Sequence, residues 1–216
     1  MILNPDLEPY IHNLLPARPP VLMEMETYAA EHDVPIVGPA VGGLLALMVK
    51  ISGARRIFEL GSAIGYSTYW LADAAGPGAE VHYSDGSAEN TARARAWLQR
   101  AGLASRITFH TGDALQALAA TSGLYDLIFN DVDKEGYPDV LRAVPVRLKP
   151  GGLLLTDNTL WSARVLKPED SSDHGVVAFN RALFAHPDFE TTLVPLRDGV
   201  TVSRKRSHGV GLSAAR

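Results

Sequence analysis

The chain contains no cysteine. Disulfide frameworks, thiolate metal sites and a cysteine nucleophile are therefore excluded. An excess of positive charge is also lacking: 20 Lys and Arg face 24 Asp and Glu, a formal net charge of -4. A surface made to wrap nucleic acid or to lie on anionic lipid needs the opposite balance. Long apolar runs are missing too. The longest uncharged stretch, Val34–Val49, spans 16 residues and is interrupted by Pro35, Gly38, Pro39, Gly42 and Gly43. It is too short and too broken to cross a bilayer. The first basic residue is Arg18, so the charged front of a signal peptide is not seen. A cytoplasmic protein is expected.

What remains is 216 residues, 46% hydrophobic and 20% charged, which suits one sizeable domain with a real core. No internal repeat or low-complexity linker divides it. Short aliphatic runs alternate with helical stretches. Strands are expected over Arg56–Leu60, Glu80–Ser84, Arg106–His110, Tyr125–Phe129 and Gly152–Thr156. Helices are expected between them, over Ser67–Ala75, Glu89–Ala101 and Ala114–Ala120. A fourth should run from Pro138 to just before Lys149, kinked at Pro145. Gly152–Thr156 has almost no polar alternation, the mark of a strand covered on both faces. Thr191–Leu196 and Val200–Arg204, joined through Asp198-Gly199, read as an antiparallel hairpin. The expected architecture is a doubly wound, mostly parallel α/β sheet over 51–206. An antiparallel pair closes it, a helical segment over 1–50 (with Asn4–Glu31 helical) precedes it, and a frayed tail over 207–216 follows. Val176, Phe179 and Leu183 share a helical spacing that places Asp173–His186 in the core.

Ligands of such sheets bind outside the carboxyl ends of the strands. Every parallel strand delivers an acid there: Glu59, Asp85, Asp113, Asp131 and Asp157. Gly61 and Gly65 make a loop whose backbone can approach a ligand closely. Asp85, twenty residues beyond Gly65, can accept the hydroxyls of a ribose, although alone it would read as a turn acid before a helix. The spacing lacks G-x-G-x-x-G, so an adenosyl cofactor without a pyrophosphate fits better than a dinucleotide. Neighbouring parallel strands lie about 4.8 Å apart. Asp131, Asp157 and Asn158 can thus converge on one hard cation, which would let two close carboxylates stay ionised. Singly, each acid would read as a turn cap or an ion-pair partner. Lys134 alone is a surface charge, but beside a divalent cation its protonated form is disfavoured, as a general base requires. Neither a Gly-x-Ser-x-Gly elbow nor a P-loop is present.

Together, Phe58–Ser67, the acid after the second strand, Gly112-Asp113-Ala114, Phe129–Tyr137 and Asp157-Asn158-Thr159-Leu160-Trp161 carry a resemblance. The sequence resembles the cation-dependent O-methyltransferases that use S-adenosylmethionine, the catechol and caffeoyl-CoA type and its small bacterial members. It does so from about Pro35 to Lys205. The resemblance implies a class I methyltransferase fold, Rossmann-like, and a homodimer. It implies Asp131, Asp157 and Asn158 as ligands of a divalent cation (Mg²⁺ first, Mn²⁺ or Ca²⁺ otherwise) and Lys134 as the base. Glu59, Gly61 and Ser67 would line the methionine end of the cofactor, Asp85 the ribose, and Asp113 and Ala114 the adenine. Val37, Asp131 and Asp133 complete that set. Asn130 stands where the family often has a small apolar residue, and Ala163 where it often has glycine. The implied acceptor is a small phenol. The rivals are methylation of a hydroxylated tRNA base, for which Arg93, Arg95, Arg100 and Arg106 would form a basic stripe, a nicotinamide-dependent dehydrogenase, and a non-catalytic adenosyl binder.

Overall fold

The computed structural model describes residues 7–207. Seven strands make one sheet in the order β3-β2-β1-β4-β5-β7-β6. These are β1 (Arg56–Leu60), β2 (Glu80–Asp85), β3 (Ile107–Thr111), β4 (Tyr125–Asn130), β5 (Leu148–Thr156), β6 (Phe189–Val194) and β7 (Val200–Lys205). The first five are parallel, while β7 runs antiparallel to both β5 and β6. The order reverses between β1 and β4, and the crevice of a doubly wound sheet opens at that switch point.

The helices are α1 (Leu7–Leu14), α2 (Pro20–Glu31), α3 (Gly38–Ser52), α4 (Tyr66–Ala75), α5 (Ala88–Arg100), α6 (Ala114–Ala120), α7 (Tyr137–Ala143) and α8 (Ser171–Phe184). Strand alternation sorts the core into two layers. Ile57, Val81, Leu127, Phe129 and Leu155 face Val41, Leu45, Leu71 and Leu98. Phe58, Ile128 and Leu154 face Val140, Val176, Phe179 and Leu183 on the other side. Among the described residues no helix is long and apolar enough to cross a membrane.

Four expectations need correction. The N-terminal helix breaks in two, because Pro16 and Pro19 leave residues 15–19 unable to hold the helical ladder. The helix after β4 starts at Tyr137 and stops at Ala143 rather than running on to Lys149. Pro145 opens a separate single turn, Pro145–Arg147, instead of kinking the helix. β5 begins at Leu148, four residues early, and absorbs Pro150 and Gly151 (φ +82°) at an irregularity in its pairing with β4. The final hairpin turns through residues 195–199, so its first strand ends at Val194 instead of Leu196. Residues 4–6 of the expected helical segment and 208–216 of the expected tail lie outside the described residues.

Gly175 in α8 ties this framework to the crevice. A Cβ there would lie 2.3 Å from the carbonyl oxygen of Lys134, so the helix crosses the post-β4 turn at backbone contact. Gly175→Ala is expected to lose about 2–3 kcal/mol by overpacking. That corresponds to a melting temperature lower by about 5–10 °C, read by thermal unfolding.

Candidate active site

The loop after β1 is shaped by backbone that only glycine adopts cheaply. Gly61 (φ +78°) would drive a Cβ to 2.5 Å from the Asp131 carbonyl oxygen, and Gly65 (φ +85°) would push one to 2.9 Å from Ala94 Cβ. The loops after β1 and β4 therefore sit back to back, and Asp131 N–H donates to Leu60 O (2.8 Å). Asp85 closes the loop from β2. Its Oδ2 accepts from Ala63 N–H (2.9 Å), and its Oδ1 from Ser87 N–H (2.9 Å) and Asn90 Nδ2 (3.1 Å). Glu59 lies wholly buried beneath, taking the Thr68 hydroxyl on Oε2. Burial pushes its carboxyl up to about 7, against the pull of the Ser67, Thr68 and Ser62 hydroxyls.

The remaining cofactor candidates spread along the same edge. Val37 is buried at the start of α3, Ser67 is buried in the first turn of α4, and Ala114 is half-buried at the start of α6. Asp113 is exposed and caps α6 by accepting from Gln116 N–H (2.7 Å). Asp133 is exposed at the turn that carries Lys134.

Asp131 and Asp157 follow register partners: Asn130 of β4 pairs with Thr156 of β5, and Asp157 N–H donates to Asn130 O (3.1 Å). Asp157 is 3% exposed, and its Oδ1 has no hydrogen-bond partner. Burial first, then the charge of Asp131, pushes its carboxyl up to about 7, with the Asn158 N–H and Arg197 opposing. Asp131 is also raised, by burial that outweighs its ion pair with Lys134. Lys134 Nζ donates to Asp131 Oδ1 (2.9 Å) and Val132 O (3.1 Å), and lies 5.2 Å from the Tyr137 ring centre and 5.4 Å from that of Trp161. Asn158 takes a left-handed φ of +54° directly after Asp157. Among the described residues no three His, Asp or Glu side chains gather as a ligand cluster; the set here is two carboxylates and one carboxamide. An unpartnered buried carboxylate oxygen beside a second carboxylate is a place where a cation relieves both desolvation and repulsion.

Four contributors escape a reading of the sequence. Tyr137 donates to Asp157 O (2.9 Å). Arg197, at a turn with φ +48°, reaches Ile36 O (2.9 Å) beside Val37 and draws down the carboxyls of Asp131 and Asp157. Glu26 of α2 accepts from Tyr66 Oη (2.7 Å) and pairs with Arg18, fixing the N-terminal helices to the start of α4. Asp173 of α8 holds the segment after β5, where Trp161, Ser162 and Ala163 are all left-handed (φ +47°, +49° and +64°). Such conformations cost about 1–2 kcal/mol each without glycine. The contacts to Asp173 and Asp198 that help sustain them are long-range, and a local pattern carries no signal of these.

A family model described as O-methyltransferase matches residues 17–206. The chain belongs to the O-methyltransferase family. The methyltransferase is 30% identical over 211 residues to caffeoyl-CoA O-methyltransferase 2 of Petunia hybrida, covering 90% of this chain and 87% of that protein. The O-methyltransferase of Bacillus cereus, solved in complex with S-adenosylhomocysteine, superposes with a TM-score of 0.85 at 28% identity, over 93% of this chain and 97% of that one. TomG of Streptomyces achromogenes, an O-methyltransferase involved in tomaymycin synthesis and solved with S-adenosylmethionine, gives 0.86 at 26%, over 94% and 96%. The fold is that of class I methyltransferases, as expected. The methyltransferase is thus an enzyme of a family with cofactor-bound relatives, and the dehydrogenase and non-catalytic readings fall.

Proposed function

We propose that this methyltransferase is a cytoplasmic enzyme that moves a methyl group from S-adenosylmethionine to one hydroxyl of a small catechol-like phenol, with a divalent cation held by Asp131, Asp157 and Asn158. The observation that carries this reading is the buried, unpartnered Oδ1 of Asp157 beside Asp131 at the ends of adjacent strands. Two carboxylates and a carboxamide are hard oxygen donors, which suit Mg²⁺ and, after it, Mn²⁺ or Ca²⁺. When bound, such an ion supplies Lewis acidity that favours the phenolate.

The chain's own residues do the rest. Gly61, whose missing side chain lets the loops after β1 and β4 meet, would line the methionine end of the donor with Val37, Glu59, Ser67 and Asp133. Asp85 retains one lone pair, on Oδ2, for the ribose beyond the three that hold the loop. Asp113 and Ala114 border the adenine. Lys134 Nζ, the ammonium that donates to Asp131, is placed to take the hydroxyl proton once it has released one of its own to solvent. As the O–CH₃ bond forms, the S–CH₃ bond breaks and its electron pair stays on sulfur. With the methyl already electrophilic, rate enhancement comes from positioning and a preorganised polar site.

Two features bear on partners. Arg93 pairs with Glu89 and stacks on Tyr28, Arg95 lies on Phe109, Arg100 pairs with Glu24, and Arg106 donates to Ala72 O. Arginines committed to such intramolecular contacts favour a small acceptor over tRNA. Leu7, Tyr10 and Leu14 of α1 and Leu47 and Ile51 of α3, against which α1 packs, are exposed, a face suited to a second copy of the chain. Light scattering should return twice the monomer mass.

The test is a panel of catechols, hydroxycinnamoyl thioesters and hypomodified tRNA, assayed for methyl transfer with magnesium and with a chelator. Chelator-sensitive transfer to a phenol is the expected result. Transfer indifferent to chelator overturns the cation assignment, and salt-sensitive transfer to tRNA alone overturns the acceptor.

A further inference from the structure

We infer that Asp173 is a positioning residue for the acceptor side of the site, acting through the indole of Trp161; this rests on the function proposed above. Asp173 lies in the first turn of α8 and is 1% exposed. Its two oxygens do separate jobs. Oδ2 accepts from the N–H groups of Glu169 (2.9 Å) and Asp170 (3.4 Å), which completes a capping box with Asp170. Oδ1 is not needed for the cap. It takes Trp161 Nε1 (2.9 Å) and Arg164 Nε (2.8 Å), both from the segment after β5.

That segment enters the site directly, since Trp161 follows Asp157-Asn158 by three residues and its ring centre lies 5.4 Å from Lys134 Nζ. Tyr137 flanks the same ammonium at 5.2 Å, and Arg164 lies 5.6 Å from the Trp161 ring centre. The indole ring therefore lies near two cations, with its N–H pinned to a buried carboxylate. Trp161, Ser162 and Ala163 are left-handed in succession. Such a run persists only where its surroundings over-determine it. Asp198 holds Ser162 N–H from one side, and Asp173 holds Trp161 and Arg164 from the other. Asp170 keeps its own pair with Arg164, so losing Asp173 releases the indole itself and lets the backbone at Trp161 relax toward right-handed geometry. The indole then leaves Lys134 and the wall an aromatic acceptor would stack upon. The donor loops after β1, β2 and β3 make none of these contacts, so their affinity for cofactor should be untouched.

The experiment uses the full chain labelled with 5-fluorotryptophan, together with steady-state kinetics on the phenol turned over in the panel. Trp161→Phe assigns the Trp161 resonance by its disappearance and, lacking the N–H, should raise the acceptor KM about three- to tenfold. Asp173→Ala should shift or broaden that resonance without any acceptor present, and raise the acceptor KM at least about tenfold. The Kd for S-adenosylhomocysteine should stay within twofold. Asp173→Asn keeps an oxygen for the indole and should hold the KM within about threefold of wild type, which separates pinning from mere loss of a cap. An unmoved resonance in folded Asp173→Ala overturns the pin. A moved resonance with unchanged acceptor kinetics, or an equal loss of cofactor affinity, overturns the positioning role. A wild type inactive on every phenol removes the acceptor role with the function it rests on, while the resonance still decides the pin.

Discussion

Asp157→Ala is expected to abolish chelator-sensitive methyl transfer, by at least about 10³-fold, or about 4 kcal/mol of barrier, while S-adenosylhomocysteine still binds. The same change should stabilise the metal-free protein. In the unfolded chain this carboxyl loses its proton near about 4. In the folded protein burial and Asp131 hold the proton until about 7. Between those values the folded state binds more protons than the unfolded one, so stability falls as pH rises through the window and stays lower above it. In chelator, the variant should therefore melt above wild type at pH 8, with the gap closing toward pH 4. Adding magnesium should narrow that gap by raising wild type alone, because a ligand at 100 times its Kd stabilises the protein it binds by about 2.7 kcal/mol. Thermal unfolding against pH, with and without the ion, reads both. A variant that keeps full turnover in chelator, or melts below wild type at pH 8, would count against the acid pair as a cation site. Function then coincides with local destabilisation, the pattern expected when a site is built for a ligand rather than for the apoprotein.

The strands and most helices were legible because local and tertiary demands agree in them. Ala114–Ala120 is bounded by a capping Asp113 and by Thr121, and the structure keeps those limits. β1 matches its expected span because Leu60 passes straight into Gly61, whose positive φ ends the strand. The adjacency of Asp131 and Asp157 followed from strand order alone, since residues after register partners must be neighbours. What could not be read depends on distant groups. Trp161, Ser162, Ala163 and Arg197 adopt backbone that glycine would signal, yet none is glycine, and contacts from Asp198, Asp173 and Ile36 help to hold them there. Asp173 hid for a different reason. The sequence places Asp173 only at the start of a core helix, and the second use of its carboxylate appears only when α8 meets the segment after β5.

Lys134 supplies the opposite case to Asp157. Lys134→Ala should lower kcat by about 10²–10³-fold, the range for removing a proton-transfer group, with little change in cofactor affinity. It should also destabilise the metal-free protein. Asp131 Oδ1 loses its ion-pair partner, and the pair is partly shielded, at 11% and 24% exposure. A fully buried pair broken this way costs about 3–5 kcal/mol, so partial exposure brings the expected loss to about 1–2 kcal/mol. Asp157→Ala and Lys134→Ala thus share a loss of turnover while moving the metal-free melting temperature in opposite directions. Generic unfolding cannot mimic that pairing. Lys134→Arg separates charge from proton transfer. A guanidinium retains the positive charge beside Asp131 and the aromatic rings, yet it does not release its proton at any accessible pH. It should therefore restore most of the stability and little of the rate. Single-turnover kinetics against pH, paired with melting in chelator, distinguish the roles. If Lys134→Arg turns over as fast as wild type, Lys134 acts as a counter-ion to Asp131 and the proton leaves by another route.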